Sequence, residues 1–272
     1  LRGSRQIVVE NFPLPTVHML IPCSDHKFIA DRNFRRALLY AINREDILKG
    51  ELLENQEIPG CRVISGPFPA GVEPNDPLAY AYDERITPRS YQPQLATLLT
   101  VLAQKQLEAV ATKLKQKAPE LAPIRLATPD DDLSRIACEA IKTQWELIKL
   151  KVEIVPLPPG KTWPEEGQAD IVYVAAAVWE PTVDARRILG PDGLARCQDQ
   201  LVGLGLRRLE NANNWRDVRD RLNELHAIAS NELPIIPLWQ VVDSFAYRRD
   251  LTGIGRGIVS LYQNVERWRL NF

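Results

Sequence analysis

The most constraining feature of this chain is a strand, a helix and a second strand in immediate succession. Ile124, Leu126 and Thr128 alternate as one strand, Leu133, Ile136, Ala137, Ala140, Ile141, Leu147 and Ile148 stripe a helix, and Leu150, Val152 and Ile154 alternate again. Strands joined by a crossover helix pair in parallel through a right-handed connection, and a parallel sheet needs cover on both faces. The run from Asp170 to Val178 has no polar alternation, which predicts a central strand buried on both sides. These two segments place the chain in the α/β class.

Other elements are expected around that unit. Leu1 to Asp25 carries Pro13, Pro15 and Pro22 around Val17, Met19 and Leu20, and reads as an edge strand or crossing segment because each proline removes a ladder donor. Phe34, Ala37, Leu38, Ala41 and Ile42 mark a helix capped by Asp31, and Asn43 is placed to start a second short helix. From Gly50 to Tyr91 proline and glycine recur, Pro74 among them, which predicts a long wrapped connection. A helix begins near Pro93 with Leu95, Leu98, Leu99 and Leu102 on one face and resumes at Leu107, Val110, Ala111 and Leu114. A short helix with loops is expected between Val183 and Leu206, and another helix from Trp215 to Ala229 that stops before Pro234. Ile235 to Val242 reads as a strand, and the tail from Gly253 as mostly extended.

Composition removes several function classes. Lys+Arg 34 against Asp+Glu 35 gives a formal net charge of -1, so no global field recruits nucleic acid or an anionic membrane. The longest apolar run, Ile171 to Trp179, is far below the roughly 20 residues a spanning helix needs. The chain opens at Leu1 without Met, and is expected to have been cut from something longer. The 4 cysteines, Cys23, Cys61, Cys138 and Cys197, have no metal-ligand spacing and read as thiols or a disulfide, so neither metal nor cofactor is expected.

No nucleophile elbow and no paired-histidine zinc motif occur, so the chain is read as a non-enzyme. Gly253, Gly255 and Gly257 around Arg256 read as a turn rather than a phosphate loop, because the third glycine is misplaced for a dinucleotide fingerprint. Asp130, Asp131 and Asp132 sit where the crossover helix starts and read as capping residues rather than a cation site. His18, His26 and His226 have no ligand spacing, and the pairs Arg35-Arg36 and Arg207-Arg208 read as solvated faces.

Several segments, in order, resemble the family 5 extracellular solute-binding proteins, which deliver peptides, nickel complexes and related solutes to ABC importers. The most specific is Asn33 to Ile47, which is similar to the family's vRxAlxxAidRxxI helix pair. It is followed by the proline-rich crossing, a Tyr-x-Pro helix at Tyr91 to Leu99, the strand-helix-strand unit ending in Leu150-Lys-Val-Glu-Ile154, and Arg219 to Trp239 with its Leu233-Pro-Ile-Ile-Pro-Leu-Trp239 ending. The resemblance spans nearly the whole chain but only the second half or so of a family member.

It implies a type II periplasmic-binding-protein-like C-terminal lobe with a central mixed, largely parallel sheet flanked by helices, plus extended terminal segments returning to an N-terminal lobe absent from this chain. Residues 1–25 are then a crossing segment, 26–238 the lobe, and 239–272 a return segment, with hinges near Asp25 and Trp239. The implied function is the extracytoplasmic substrate-binding component of an ABC importer, closing on a peptide-like or other small solute and docking on a permease. Upstream sequence would supply any membrane anchor. The alternative is a solute-sensing or scaffold module of a regulatory or membrane-anchored protein.

The implied ligand-binding residues are Tyr173, Ala177, Trp179, Glu180 and Asp184. Peptide-binding members carry an aspartate after the central strand that neutralises the ligand ammonium. Here the aspartate position falls on Ala177 or Trp179, with Glu180 or Asp184 as substitutes, and a buried ammonium without a partner costs several kcal/mol. The glycine usual before the second strand of the unit is replaced by Lys149 or Leu150.

Overall fold

The computed structural model of the protein describes residues 6–12, 15–72, 76–255, 257–258 and 260–271. Pro13, Pro74 and Arg256 of the sequence reading, and the outermost ends of both terminal segments, lie outside the described residues. In chain order the strands are β1 (Ile7–Asn11), β2 (Thr16–Pro22), β3 (Arg62–Val63), β4 (Ile124–Thr128), β5 (Val152–Pro156), β6 (Ile171–Ala177), β7 (Ile236–Val241), β8 (Ser244–Arg248), β9 (Leu251–Thr252) and β10 (Arg269–Leu270). The helices are α1 (Lys27–Ala30), α2 (Arg32–Tyr40), α3 (Arg44–Asp46), α4 (Pro93–Lys113), α5 (Asp132–Leu147), α6 (Pro181–Leu189), α7 (Gln200–Glu210) and α8 (Trp215–Glu232).

A 6-stranded sheet in the order β3-β7-β2-β6-β4-β5 organises the fold. β4 pairs in parallel with β5 and β6, as the strand-helix-strand unit requires. The sheet is mixed as expected, but it is not largely parallel in its pairing: β2 lies antiparallel to both β6 and β7, and β3 antiparallel to β7. The reason is that β2 inserts between β6 and β7, which would otherwise be parallel neighbours. The edge-strand reading of the first segment is thereby corrected. Pro15 precedes β2 and Pro22 ends it, so neither removes a donor from the interior of the ladder, and Val17 to Ile21 are buried at the sheet centre.

One face of the sheet packs Leu20, Leu126, Ile171 and Tyr173 under Phe34, Leu38, Ala103, Ile141 and Trp145 from α2, α4 and α5. The other packs Met19, Ala127 and Val172 under Ile188, Val202, Leu206, Leu222 and Leu225 from α6, α7 and α8. Asp31, Asn43 and Asp131 each accept an amide bond at the start of α2, α3 and α5, and Asp199 and Asn214 do so for α7 and α8. The expected single helix and loops after Val183 are two helices, α6 and α7. α4 is one continuous helix, and its fully buried residues are Ala96, Ala103 and Ala111, with Leu99 and Leu107 partly buried against the core. Small side chains let α4 approach α2 closely, which leaves Leu98, Leu102, Val110 and Leu114 exposed. Lys149, at the position usually taken by glycine, adopts φ 68, the left-handed conformation that glycine tolerates best.

The arginines of the Asn33 to Ile47 motif tie α2 and α3 to the sheet. Arg44 is 3% exposed and donates to the carbonyls of Ile64 at 3.0 Å, Pro237 at 2.8 Å and Arg89 at 2.5 Å. Burial lowers its pKa to about 10, which keeps it charged at neutral pH. Arg35 donates to Leu233 O at 2.7 Å, Glu232 O at 2.9 Å, Ile29 O at 2.9 Å and Ala30 O at 2.7 Å. Arg36 bonds the carbonyl and side chain of Asn231. The solvated-face reading of Arg35-Arg36 is therefore corrected: both guanidiniums serve backbone carbonyls where α8 turns into β7. Exposed Arg208, paired with Glu224, keeps that reading.

Outside the main sheet, β1 and β8 form a two-stranded antiparallel ribbon that continues β2 and β7, with Asn11 opposite Ser244. Phe12 N donates to Asp243 O at 2.8 Å and Thr16 Oγ1 to Asp243 Oδ2 at 2.6 Å where the two chains leave the sheet. The tail past Gly253 is turns and a short β9–β10 pair rather than extended chain, and Gly253 and Gly255 take φ 85 and 89. All 4 cysteines are free thiols.

His226 of α8 is sealed beneath the proline-rich connection. Its Nδ1 accepts from Asp83 N at 3.0 Å and its Nε2 lies 3.0 Å from Ser65 Oγ, so the neutral ring donates through Nε2. A Cβ at Gly66 would lie 2.2 Å from the ring, which explains glycine there. Burial lowers the pKa of His226, and likewise that of His18, to about 4. The unfolded chain takes up these protons first, so stability is full above pH about 6.5 and is lost as pH falls from there toward about 4. Each ring contributes at most about 3 kcal/mol to that loss, at about 1.36 kcal/mol per pH unit. Urea unfolding across this window should show the fall, and a shallower one for His226→Gln; stability that stays flat would contradict the neutral buried rings.

Candidate functional site

β4, β5, β6 and β7 all run in one direction, so their carboxyl ends line one edge of the sheet, joined there by the start of β2. Crevices at such an edge are where open α/β sheets hold ligands. The β1–β8 ribbon leaves from the same edge. The helices above β6 stop short of it, so Ala175 and Ala177 are exposed on the face where Tyr173, two residues earlier, is fully buried. On the neighbouring strand Ala175 faces His18 and Ala177 faces Thr16. Beside them, Thr128, Pro129, Asp130, Asp131, Ile154 and Pro156 line a hollow of about 540 Å³.

Beyond β6 the chain passes through Val178 and Trp179 into α6. Trp179 is 52% exposed and takes no part in either core. Glu180 caps α6, its carboxylate accepting from Thr182 Oγ1 at 2.7 Å and from the Tyr80 hydroxyl. These hydrogen bonds, from Tyr80 first and then Thr182, hold the Glu180 carboxyl below its usual pKa. Burial and the Glu180 carboxylate push the Tyr80 hydroxyl up. Tyr80 also packs on Trp215, ring centroids 4.7 Å apart.

Asp184 is 8% exposed and fully engaged. Its Oδ2 accepts from Trp179 N at 2.8 Å and Glu180 N at 3.0 Å, and its Oδ1 from Arg187 Nε at 2.8 Å. It shapes the turn that projects Trp179 and is not free to meet a ligand. Tyr173 is also withdrawn: it is 0% exposed, with its hydroxyl 2.8 Å from His18 Nδ1. The structure therefore brings Ala177, Trp179 and Glu180 to the open edge and places Tyr173 and Asp184 behind it, buried and hydrogen-bonded within the fold. Trp239, expected near a hinge, is buried beside His18 in the ladder, and the chain passes between the main sheet and the β1–β8 ribbon before Thr16 and after Val241.

Sequence reasoning missed His18 and Tyr80. For His18 the signal was present, because Thr16, His18 and Leu20 alternate onto one face; reading the segment as an edge hid it. Among the described residues no group of three or more His, Cys, Asp or Glu side chains is placed to hold a metal ion, and no helix is long and apolar enough to cross a membrane.

Residues 2–188 match the family described as bacterial extracellular solute-binding proteins, family 5, middle. The chain belongs to this family. In sequence no curated protein matches it. Among solved structures it is similar to NikZ from Campylobacter jejuni in complex with Ni(L-His), at 17% identity and a TM-score of 0.77 over 98% of this chain and 54% of that one. It is also similar to the oligopeptide-binding protein AppA from Bacillus subtilis in complex with a nonapeptide, at 14% identity and a TM-score of 0.78 over 99% and 53%. A third is the periplasmic binding protein DppA from Helicobacter pylori in complex with peptide STSA, at 15% identity and a TM-score of 0.71 over 99% and 50%. At these identities the likeness is one of fold, the type II periplasmic-binding-protein architecture. The family 5 chain spans about half the length of each of these structures.

Two substitutions separate display from support in this family 5 edge. Trp179→Ala should cost under about 1 kcal/mol because the ring packs in no core. Asp184→Ala should cost about 2 kcal/mol by stripping two amides and Arg187 of their acceptor. Denaturant unfolding checks both; a larger loss for Trp179→Ala than for Asp184→Ala would reverse the two roles.

Proposed function

We propose that this chain is the C-terminal lobe of an extracytoplasmic solute-binding protein, which captures a small solute between two lobes and presents it to an ABC permease. The observation that supports this most is the shared edge: the exposed Ala177-to-Glu180 segment and the β1–β8 ribbon lie at the same end of the sheet, so a second lobe carried on the ribbon would face the open segment. Closure then occurs at the crossings near Phe12 to Thr16 and Val241 to Ser244, where few bonds hold the two chains. Leu261, Tyr262 and Leu270, exposed around a hollow of about 280 Å³ beyond the ribbon, supply an apolar surface for that second lobe. The role is binding and delivery rather than catalysis.

Trp179 is the apolar wall of the solute site and Glu180 its rim. The carboxylates of α6 are engaged, Asp184 with Trp179, Glu180 and Arg187, and Glu180 with Tyr80 and Thr182. The Tyr80 and Thr182 bonds to Glu180 both fall on Oε1, so its Oε2 could still meet an ammonium at the exposed rim, whereas an ammonium buried deeper, beside Ala177, would be unpaired at a cost of several kcal/mol. The solute is therefore one without a free terminal ammonium at this position.

Mass spectrometry of solute released from full-length protein purified without denaturant tests both statements. A discrete small solute without a free amino terminus is expected, released more readily from Trp179→Ala. Recovery of ordinary peptides with free amino termini would overturn the solute class, and protein with no bound solute would count against the binding role.

A further inference from the structure

The polar atoms under the exposed alanines form a directed chain. Tyr173 is fully buried and its hydroxyl has His18 Nδ1, at 2.8 Å, as its acceptor among the described residues. Were the ring to donate instead, the tyrosine proton would be buried with nothing to accept it. The hydroxyl therefore donates to Nδ1, and the neutral ring carries its own hydrogen on Nε2. The indole N–H of Trp239, opposite His18 in the ladder, is sealed without an acceptor at bonding geometry and acts on the Tyr173 oxygen, which favours the same direction.

That leaves one donor outward. His18 is 4% exposed, its Nε2 has no partner among the described residues, and unlike the Trp239 nitrogen it is not sealed from solvent. Ala175, directly across the ladder, is exposed and offers only a methyl group, so the β6 residue facing the ring does not cover it. Asp131 lies close enough to act on His18, and both its oxygens are held, Oδ1 2.8 Å from Ser134 N and Oδ2 2.7 Å from Ser134 Oγ. A fixed negative charge there disfavours an anionic acceptor and leaves a neutral one.

We propose that His18 is a solute-contacting, specificity-determining residue, whose Nε2–H donates through the opening at Ala175 and Ala177 to a neutral carbonyl oxygen of the bound solute. The assignment rests on the carboxyl edge being the solute site. It gives the alanines a purpose, since larger residues at either position would close the approach to the ring.

The test uses full-length wild-type protein, His18→Asn and His18→Gln. Solute retained per mole after dialysis is measured by mass spectrometry, with thermal unfolding run alongside. Asparagine keeps an acceptor near Nδ1 for Tyr173 and loses the outward donor, whereas glutamine places an amide near Nε2 and loses the inner bond. His18→Asn should retain about tenfold less solute than wild type and His18→Gln within a few fold of it. A residue that only supports the core gives the reverse order, and that result, or equal retention by all three, would overturn the assignment while leaving the binding role intact. Wild-type protein without solute would remove both. If neither variant folds, the ¹⁵N resonances of the His18 ring in wild-type protein decide: a protonated Nε2 that shifts when solute is stripped supports the contact, and one that does not shift ends it.

Discussion

The antiparallel insertion of β2 between β6 and β7 is the constraint on which the rest of the structure depends. Both of its edges are hydrogen-bonded to strands that arrive much later in the chain, so the sheet is complete only when β6 and β7 have docked on it. The same insertion brings the start of β2 level with the ends of β6 and β7, which places Thr16 and His18 at the carboxyl edge among residues from the far half of the sequence. It also sends the ribbon out of that edge, with Phe12 and Thr16 bonded to Asp243 at the crossing. The proposed site and the proposed hinge are thus two consequences of one strand's direction.

The motif that carried the family resemblance has a structural role. Arg35 and Arg44 bring two guanidiniums onto carbonyls from five separate stretches of chain, at Ile29 and Ala30, Ile64, Arg89, Glu232 and Leu233, and Pro237. No carboxylate takes part in these bonds, so the arginines act as multivalent donors for chain ends and turns that the helices and ladders leave unsatisfied. Spacing alone suggested solvated helix faces because it records where a side chain starts on a helix and not which carbonyls turn toward it. Asp170 has a comparable task at the start of β6, accepting from Arg125 and Ser24.

Legibility in the sequence followed locality. The β4-α5-β5 unit was readable because alternation, helical stripe and alternation lie within one continuous stretch, and the Asp131 cap announced where the helix begins. β6 was readable because its first half, Ile171 to Tyr173, is buried on both faces, but the apolar run gave no sign that Ala175 and Ala177 end up exposed. β2 was misread because Pro15 and Pro22 look like breaks in a strand when they are its two limits. α4 hid its packing in alanines, whose value lies in close approach rather than in hydrophobicity. Of the candidate site, Trp179 and Glu180 were named through the family resemblance, which points to the segment after β6. For His18 the alternation with Thr16 and Leu20 was visible, but its neighbours Ala175 and Tyr173 come from across a ladder that only the folded chain assembles.

The most direct measurement is amide hydrogen exchange on full-length protein with its solute bound and after stripping. Binding at the carboxyl edge predicts slower exchange from Ala175 to Thr182 and around Phe12 to His18, with the buried centres of β4 and β6 unchanged. Slowing confined to distant surfaces, such as the loop and helix from Gln198 to Glu210, would contradict a solute site at the carboxyl edge of this sheet.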